Sequence, residues 1–486
     1  MSTRTGRRAS CLALGALVVT ALVPGLGGCS SASTPSAYDQ AYDVGLQAYT
    51  YGLPLLTTNA TFQTMTSVNV TNGQGFGPVN QFNSVRALNN PKSTTVVAPG
   101  ASALSSIAWL DLTAEPQVLH VPEVTDHDFV LALLDPYTED LRNLGSAHST
   151  PPGDYLIAPP GSPAKTPAGT ERIDVDQTRI WVIGSTQLKG PDDVKNVNTI
   201  QDGYTLTPLS RFGTDYTPPA PAAKDTTVDT HAVPTGMEFL DTLGQQLEQF
   251  PPPAADKPQL ATLATLGIGP GKTPSKDSSL SADTVRGLTD AIAAGPAQIQ
   301  ADTKTVAEAS AKTHDGYFLG GFGTYGTDYQ LRAVVAVMGL GAFTSDQTIF
   351  ASTLTDGTGQ ALDGSSSYTM HLPAAPPARE GWTVTVYTTK GALIPNALNR
   401  YNLGAASTLT KNADGSIDIV LQATQPADAA KTRNWLPVAS GQGFEVIWRL
   451  MAPQPDAIDG ILNGSGWQPP ALTPAGTAPT STPTSS

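Results

Sequence analysis

Cysteine is nearly absent: two in 486 residues, Cys11 and Cys29. If the chain is cut before Cys29 and that thiol is acylated, the mature body has neither a free thiol nor a disulfide. Cysteine-protease, zinc–thiolate and dithiol chemistry are then excluded. A long chain without disulfides must be held by its hydrophobic core. Charge is also scarce, at 14% of residues, and basic residues are the scarcer sign, 27 against 41 acidic. The formal charge is −14; removing residues 1–28 takes away three arginines and no acids, leaving −17. Such a chain repels nucleic acid and anionic headgroups, so nucleic acid is not an expected partner. The six histidines are scattered, with no helical His-Glu-x-x-His, and no serine stands in a Gly-x-Ser-x-Gly elbow. No repeat occurs at solenoid periods.

What is present at the N-terminus is an export signal. Arg4, Arg7 and Arg8 precede an uncharged apolar run from Cys11 to Val23, and Leu26-Gly27-Gly28-Cys29 follows. The run is shorter than the roughly 20 apolar residues that span a bilayer, and small residues before a cleavage point end a secretory signal. This pattern resembles the lipobox of bacterial lipoproteins. It implies acylation of Cys29, and membrane attachment on the outer face of the cell membrane through that lipid alone. Arg7-Arg8 also resembles a twin-arginine signal, leaving the export route open.

Composition divides the rest. Gly and Pro number 46 and 41, so the body reads as loop-rich and inclined to β structure. Residues 29–36 form a Ser/Thr/Pro tether. A long helix is expected from Ala37 to about Val68, because Tyr42, Leu46, Tyr49 and Leu53 share one face, with Pro54 breaking or kinking it. Short strands follow at Thr94–Ala98, Ile107–Leu112, Val118–Val121, Phe129–Leu134, Tyr155–Ala158 and Arg179–Gly184, with a helix near Asp192–Asp202. Residues 213–313 read as a helical insert or bridging domain, with helices at Met237–Phe250 and Ser281–Lys312. Strands return at Ser366–Leu372, Trp382–Thr388, Ile417–Gln422 and Phe444–Met451, and the tail Thr473–Ser486 reads as disordered. The expectation is an α+β, mostly β chain: two antiparallel sandwich- or barrel-like domains (37–212 and 314–470) around that insert, with 471–486 as the tail.

Several motifs invite chemistry. Gly321-Phe322-Gly323-Thr324-Tyr325-Gly326 has the spacing of a dinucleotide loop, but no parallel βαβ units accompany it. A glycine turn capping a helix explains it without a cofactor. Ser162-Pro163-Ala164-Lys165 has serine–lysine spacing inside a proline-rich loop, which is the wrong context. His120, Glu123, Asp126, His127 and Asp128 crowd nine positions and read as a solvated turn rather than a metal site. Asn396, Asn399, Arg400, Tyr401, Asn434, Trp435 and Arg449 concentrate forked, amide and aromatic groups. Those types bind carboxylates, phosphates or sugars, or else pin loop carbonyls.

These residues also carry a resemblance. Trp109-Leu110-Asp111-Leu112, Leu133-Leu134-Asp135-Pro136-Tyr137 and Gln201-Asp202-Gly203-Tyr204-Thr205-Leu206-Thr207-Pro208-Leu209 resemble the bacterial domain of unknown function DUF1254. Tyr325-Gly326-Thr327-Asp328-Tyr329, Leu362-Asp363-Gly364-Ser365, Asn399-Arg400-Tyr401, Asn412-Ala413-Asp414-Gly415-Ser416 and Asn434-Trp435-Leu436-Pro437 resemble its companion, DUF1214. The resemblance implies mostly-β domains joined by helices, often oligomeric, without an established reaction. One stretch departs. Where the family usually shows Pro-Asn-Asn-Asp-Thr-x-Tyr-Ser, this chain has Pro99-Gly100-Ala101-Ser102-Ala103-Leu104-Ser105-Ser106.

Three functions stay open. The first, favoured, is an envelope lipoprotein binding a small or envelope-derived molecule through Arg400, Tyr401, Asn434 and Trp435. The second is a hydrolytic enzyme using Asp135, Tyr137 or Asp328. The third is an assembly role through homo-oligomerisation. No metal and no cofactor are expected.

Overall fold

The computed structural model describes residues 35–93, 97–310 and 316–475. The expected signal, most of the tether and Cys29 lie outside them, as do Thr94–Val96 of an expected strand and most of the tail. The body from Ala37 onward is one compact unit.

Its first element is α1 (Ala37–Met65), with Pro54 inside it. The helix does not break there, because Leu53 to Leu56 are all buried and packing outweighs the roughly 3 kcal/mol that an interior proline costs. Nine strands and a helix follow: β1 (Asn83–Ser84), β2 (Ala103–Asp111), β3 (Gln117–Val121), β4 (Phe129–Leu134), β5 (Asp140–Gly145), β6 (Gly153–Ala158), β7 (Thr170–Asp174), β8 (Arg179–Gln187), α2 (Val194–Gly203) and β9 (Thr205–Pro208). They make two open sheets ordered β1-β2-β8-β4-β5 and β7-β6-β3-β9. Leu110, Leu131 and Val182 of one meet Leu119, Ile157 and Leu206 of the other in a shared core. This is the first sandwich. The other face of its larger sheet stacks Trp109 on Trp181 at 4.6 Å and receives Phe62 of α1.

The helical stretch contains α3 (Gly236–Gln249), α4 (Lys257–Ala264) and α5 (Ala282–Ala309). It is not an isolated insert: α1, α3, α5 and a later helix share one core through Leu55, Leu243, Leu288 and Val334. Ser281 caps α5 as expected, its Oγ accepting from Thr284 N at 3.1 Å.

Next come β10 (Gly316–Leu319), α6 (Tyr329–Met338), β11 (Thr348–Thr353), β12 (Tyr368–Leu372), β13 (Trp382–Thr388), β14 (Asn402–Gly404), β15 (Ile417–Gln422), α7 (Ala429–Arg433), β16 (Trp435–Pro437), β17 (Phe444–Met451), α8 (Ile458–Leu462) and β18 (Leu472–Pro474). Two sheets, β10-β11-β17-β13-β14 and β16-β15-β12-β18, close on Val384, Trp448, Ile419 and Leu421. This is the second sandwich. The fold is α+β, and the sheets stay open rather than closing into barrels. The tail begins later than composition suggests, since Thr473 and Pro474 pair with Thr369 and Tyr368.

Candidate functional site

The four residues expected to bind a ligand are neighbours, and their polar atoms are engaged with the chain itself. Arg400 Nη1 donates to the carbonyls of Thr432 (2.9 Å) and Trp435 (3.0 Å). Asn434 Nδ2 donates to the carbonyls of Thr410 and Asp418, and its Oδ1 accepts from Thr410 N at 2.8 Å. Trp435 Nε1 donates to Gln422 O, and Tyr401 donates to Asn399 Oδ1. Asn434 is buried because it stitches the entrance of β16 to β15, where an unbonded amide would cost about 1–3 kcal/mol. Arg449 likewise holds the Ala98 carbonyl at 2.7 Å. With Tyr387 on the Pro99 carbonyl, it docks the departing 98–101 loop onto the second sandwich.

The three candidate catalytic groups come together around the glycine loop. Asp135 closes the β4–β5 hairpin: its Oδ1 accepts from Tyr137 N (2.8 Å) and Glu139 N (2.9 Å). Burial pushes its carboxyl well up. Tyr137, wholly buried, reaches into the helical core and donates to Phe250 O at 2.7 Å. Asp328 caps α6, accepting from Leu331 N at 2.9 Å. Between them Glu139 spans from the hairpin to the loop, accepting from Tyr325 N (2.9 Å) and Gly326 N (3.0 Å). Arg332, 1% exposed, completes the knot at 3.0 Å from the same carboxylate. The amides that a pyrophosphate would need are therefore taken by an internal anion. The strand before the loop, β10, is antiparallel to β11. This is not a nucleotide site.

The crowded histidines do not converge. His120 pairs with Asp154 at 2.7 Å and His127 with Asp193 at 2.8 Å. Among the described residues no three His, Cys, Asp or Glu side chains are placed to hold a metal. Arg172 donates to the carbonyls of Ser162 and Ala164, fixing that stretch as a loop.

One residue beyond Glu139, strand alternation turns Asp140 toward a cleft of about 400 Å³. Its lining joins the first sandwich (Asp140, Arg142, Asn143, His148, Tyr155, Glu171) to the loop entering the second (Thr344, Asp346). Asp140 is fixed at its amide and its carboxyl, and its carboxyl's partner is itself anchored. Its N–H donates to Gly323 O at 2.6 Å, Asn143 Nδ2 donates to its Oδ2 at 2.8 Å, and that same amide donates to Thr344 Oγ1 at 3.1 Å. Gly323 has φ +78°, and a side chain there would collide with Thr344 at 2.9 Å, so glycine keeps the back wall close. Burial, reinforced by the charge of Asp346, pushes the Asp140 carboxyl up to about 7 despite the Asn143 hydrogen bond. His148 Nε2 lies 3.2 Å from Asp346 Oδ2, and Gln347 Nε2 donates to that oxygen at 3.3 Å. Arg142 is held by Glu171 at 3.1 Å. Spacing alone could not have found this site, since Asp140 and Asp346 belong to different sandwiches.

Residues 79–208 match the family described as a protein of unknown function (DUF1254), and residues 347–455 match a second, DUF1214. The chain carries the paired DUF1254 and DUF1214 domains. No curated protein matches the chain. It is similar to the crystal structure of the VPA0106 protein from Vibrio parahaemolyticus, at 22% identity and a TM-score of 0.66, covering 90% of this chain and all of that one. A second structure, an uncharacterised protein from Burkholderia cenocepacia, gives 10% identity and a TM-score of 0.41, covering 90% and 94%. The first likeness shows the shared fold. Within it, the Asp140 cleft lies where the DUF1254 sandwich meets residues 344–346, just ahead of DUF1214. Within the matched ranges Asp135, Arg400 and Asn434 act as hairpin closer and carbonyl pins, and Asp328, between those ranges, caps α6.

Proposed function

We propose that the protein is exported, anchored to the outer face of the cell membrane through an acylated Cys29, and holds a small hydroxyl-rich molecule in the Asp140 cleft. The observation that carries the binding reading is the balance of groups in that cleft. Asp140, Glu171 and Asp346 supply carboxyl oxygens, whereas the one guanidinium, Arg142, is already engaged by Glu171. A ligand suited to such walls donates hydrogen bonds and carries no negative charge, as a neutral sugar does. The volume suits one or two sugar rings, and an envelope location would keep the protein beside carbohydrate. On this reading the ligand lies away from Arg400, Asn434 and Trp435, which bond backbone carbonyls, and from Tyr401, which bonds the Asn399 side chain. The anchoring half of the reading rests on Leu26-Gly27-Gly28-Cys29 and on the acidic body, which offers no second attachment to anionic lipid.

Thermal melting with glucose, N-acetylglucosamine, arabinose, trehalose and cellobiose tests the binding half. At least one sugar should raise the midpoint, and Asn143→Ala should abolish that rise. No shift with any of the five, or a shift that Asn143→Ala leaves intact, would remove the cleft from consideration.

A further inference from the structure

We infer that the cleft hydrolyses a glycosidic bond, with Asp140 as general acid and Asp346 as the base that activates water. The inference rests on the proposed function, because a sugar must first occupy the cleft. Its footing is geometric. Two carboxyl groups from different sandwiches line one cavity, and each is oriented by neighbours. Asn143 holds Asp140 through Oδ2, and the backbone amides of Thr344 and Arg142 also bond its carboxyl, so the group is fixed at the wall of the cleft. Gln347 Nε2 donates to Asp346 Oδ2 at 3.3 Å and lies 2.6 Å from His148 Nε2, which makes Gln347 a positioning residue.

The two carboxyls sit in unlike surroundings. Asp140 is mostly buried, whereas the Asp346 side chain is 44% exposed. Two carboxyls in environments that separate their acidities are what acid–base hydrolysis requires, one bringing a proton and one taking it. The sign of the local charge selects the bond. Acyl and phosphoryl transfer build negative charge in the transition state and need donors to stabilise it. Here the carboxylates of Glu171 and Asp346 face the reacting space and the guanidinium is committed to Glu171. That field disfavours an oxyanion and favours the oxocarbenium-like cation of glycoside cleavage.

The step balances without any further reagent. Asp346 takes a proton from a water whose oxygen bonds to the anomeric carbon. The bond from that carbon to the departing oxygen breaks, its electron pair stays on that oxygen, and Asp140 supplies the proton. One water is consumed and two hydroxyl groups are formed. The proton on Asp346 then returns to Asp140 through solvent. The titratable and charged groups lining the cleft with Asp140 are Asp346, His148, Tyr155 and Glu171, with Arg142 on its own strand and Tyr325 nearby in the glycine loop.

The test uses the methyl and 4-nitrophenyl glycosides of whichever sugar raises the melting midpoint. The methyl leaving group needs its proton and the nitrophenyl group does not. Asp140→Asn should therefore lower kcat about 10²–10⁴-fold on the methyl glycoside and far less on the nitrophenyl one. Asp346→Asn, at a half-exposed position that tolerates the change, should lower both. Wild-type kcat on the methyl glycoside should fall as pH rises through about 7, and Asp140→Asn should lose that limb. A sugar that binds but is turned over in neither form would overturn the inference and leave the binding reading standing. So would an Asp140→Asn loss equal on both substrates. If no sugar binds at all, the binding reading itself has failed.

Discussion

At the scale of single residues, Asp140 and Glu139 are adjacent in sequence and opposite in use. Glu139 is spent on internal amides and on Arg332, while Asp140 faces the cleft. A carboxyl whose pKa rises on folding binds its proton more tightly in the folded chain. Its stabilising contribution is complete below the ordinary aspartate value of about 3.9 and is lost as pH climbs to about 7. Wild-type stability should thus fall between those limits relative to Asp140→Asn, by at most about 4 kcal/mol and by less if water enters the cleft. Urea unfolding of both proteins from pH 4 to 8 measures the difference; parallel curves would contradict it. Little of this was legible in the chain. Asp140 looks like any strand-end aspartate, because the segment packed over it, with Gly323 and Thr344, lies roughly two hundred positions away. Arg400 and Asn434 were legible as unusual residues, yet type does not reveal partner. The same fork and amide that could bind a sugar bind carbonyls of their own sandwich instead.

At the scale of elements, most of the body was readable from hydrophobic pattern, and the misses share a cause. The long central strands β4, β13 and β17 announce themselves through runs of β-branched and aromatic residues. Short edge strands such as β1, β7 and β18 have too few residues to show a period, and only a neighbouring strand defines them. Pro54 does not end the helix because tertiary packing overrides local propensity when both sides of a helix are buried. The contact between α1 and α5 depends on a missing side chain. A Cβ at Gly287 would stand 2.5 Å from the Tyr38 carbonyl and 2.9 Å from Ala41. Gly287→Val should force the helices apart and destabilise the protein by about 1–3 kcal/mol, as overpacked cores do. A calorimetric melt unchanged within a degree would show that the helices can separate freely.

At the scale of the whole molecule, composition announced two sandwiches and a helical portion. It did not reveal that the helices form a common core with α1 and α6 rather than a domain of their own. That core carries Tyr137 from the first sandwich, so the helical layer grips the β4–β5 hairpin beside the cleft. The proposed anchor acts at this scale as well. A body of net charge −17 gains nothing from an anionic bilayer, so attachment by acyl chains alone should vanish with the thiol. Expressed in its host, Cys29→Ser should move from the membrane pellet to the soluble fraction; a variant that still sediments with membranes would refute the anchor.

The link between Glu139 and Arg332 also bears on how the molecule comes into being. Those residues are 193 positions apart, so their meeting closes a very long loop and carries the entropic cost of one. A ribosome will have released the entire first sandwich before the other half of the knot exists. The cleft is therefore a late product of folding, and a chain interrupted between the two sandwiches would lack Thr344 and Asp346 however well its first sandwich formed. Formation of the cleft therefore depends on segments from both halves of one polypeptide.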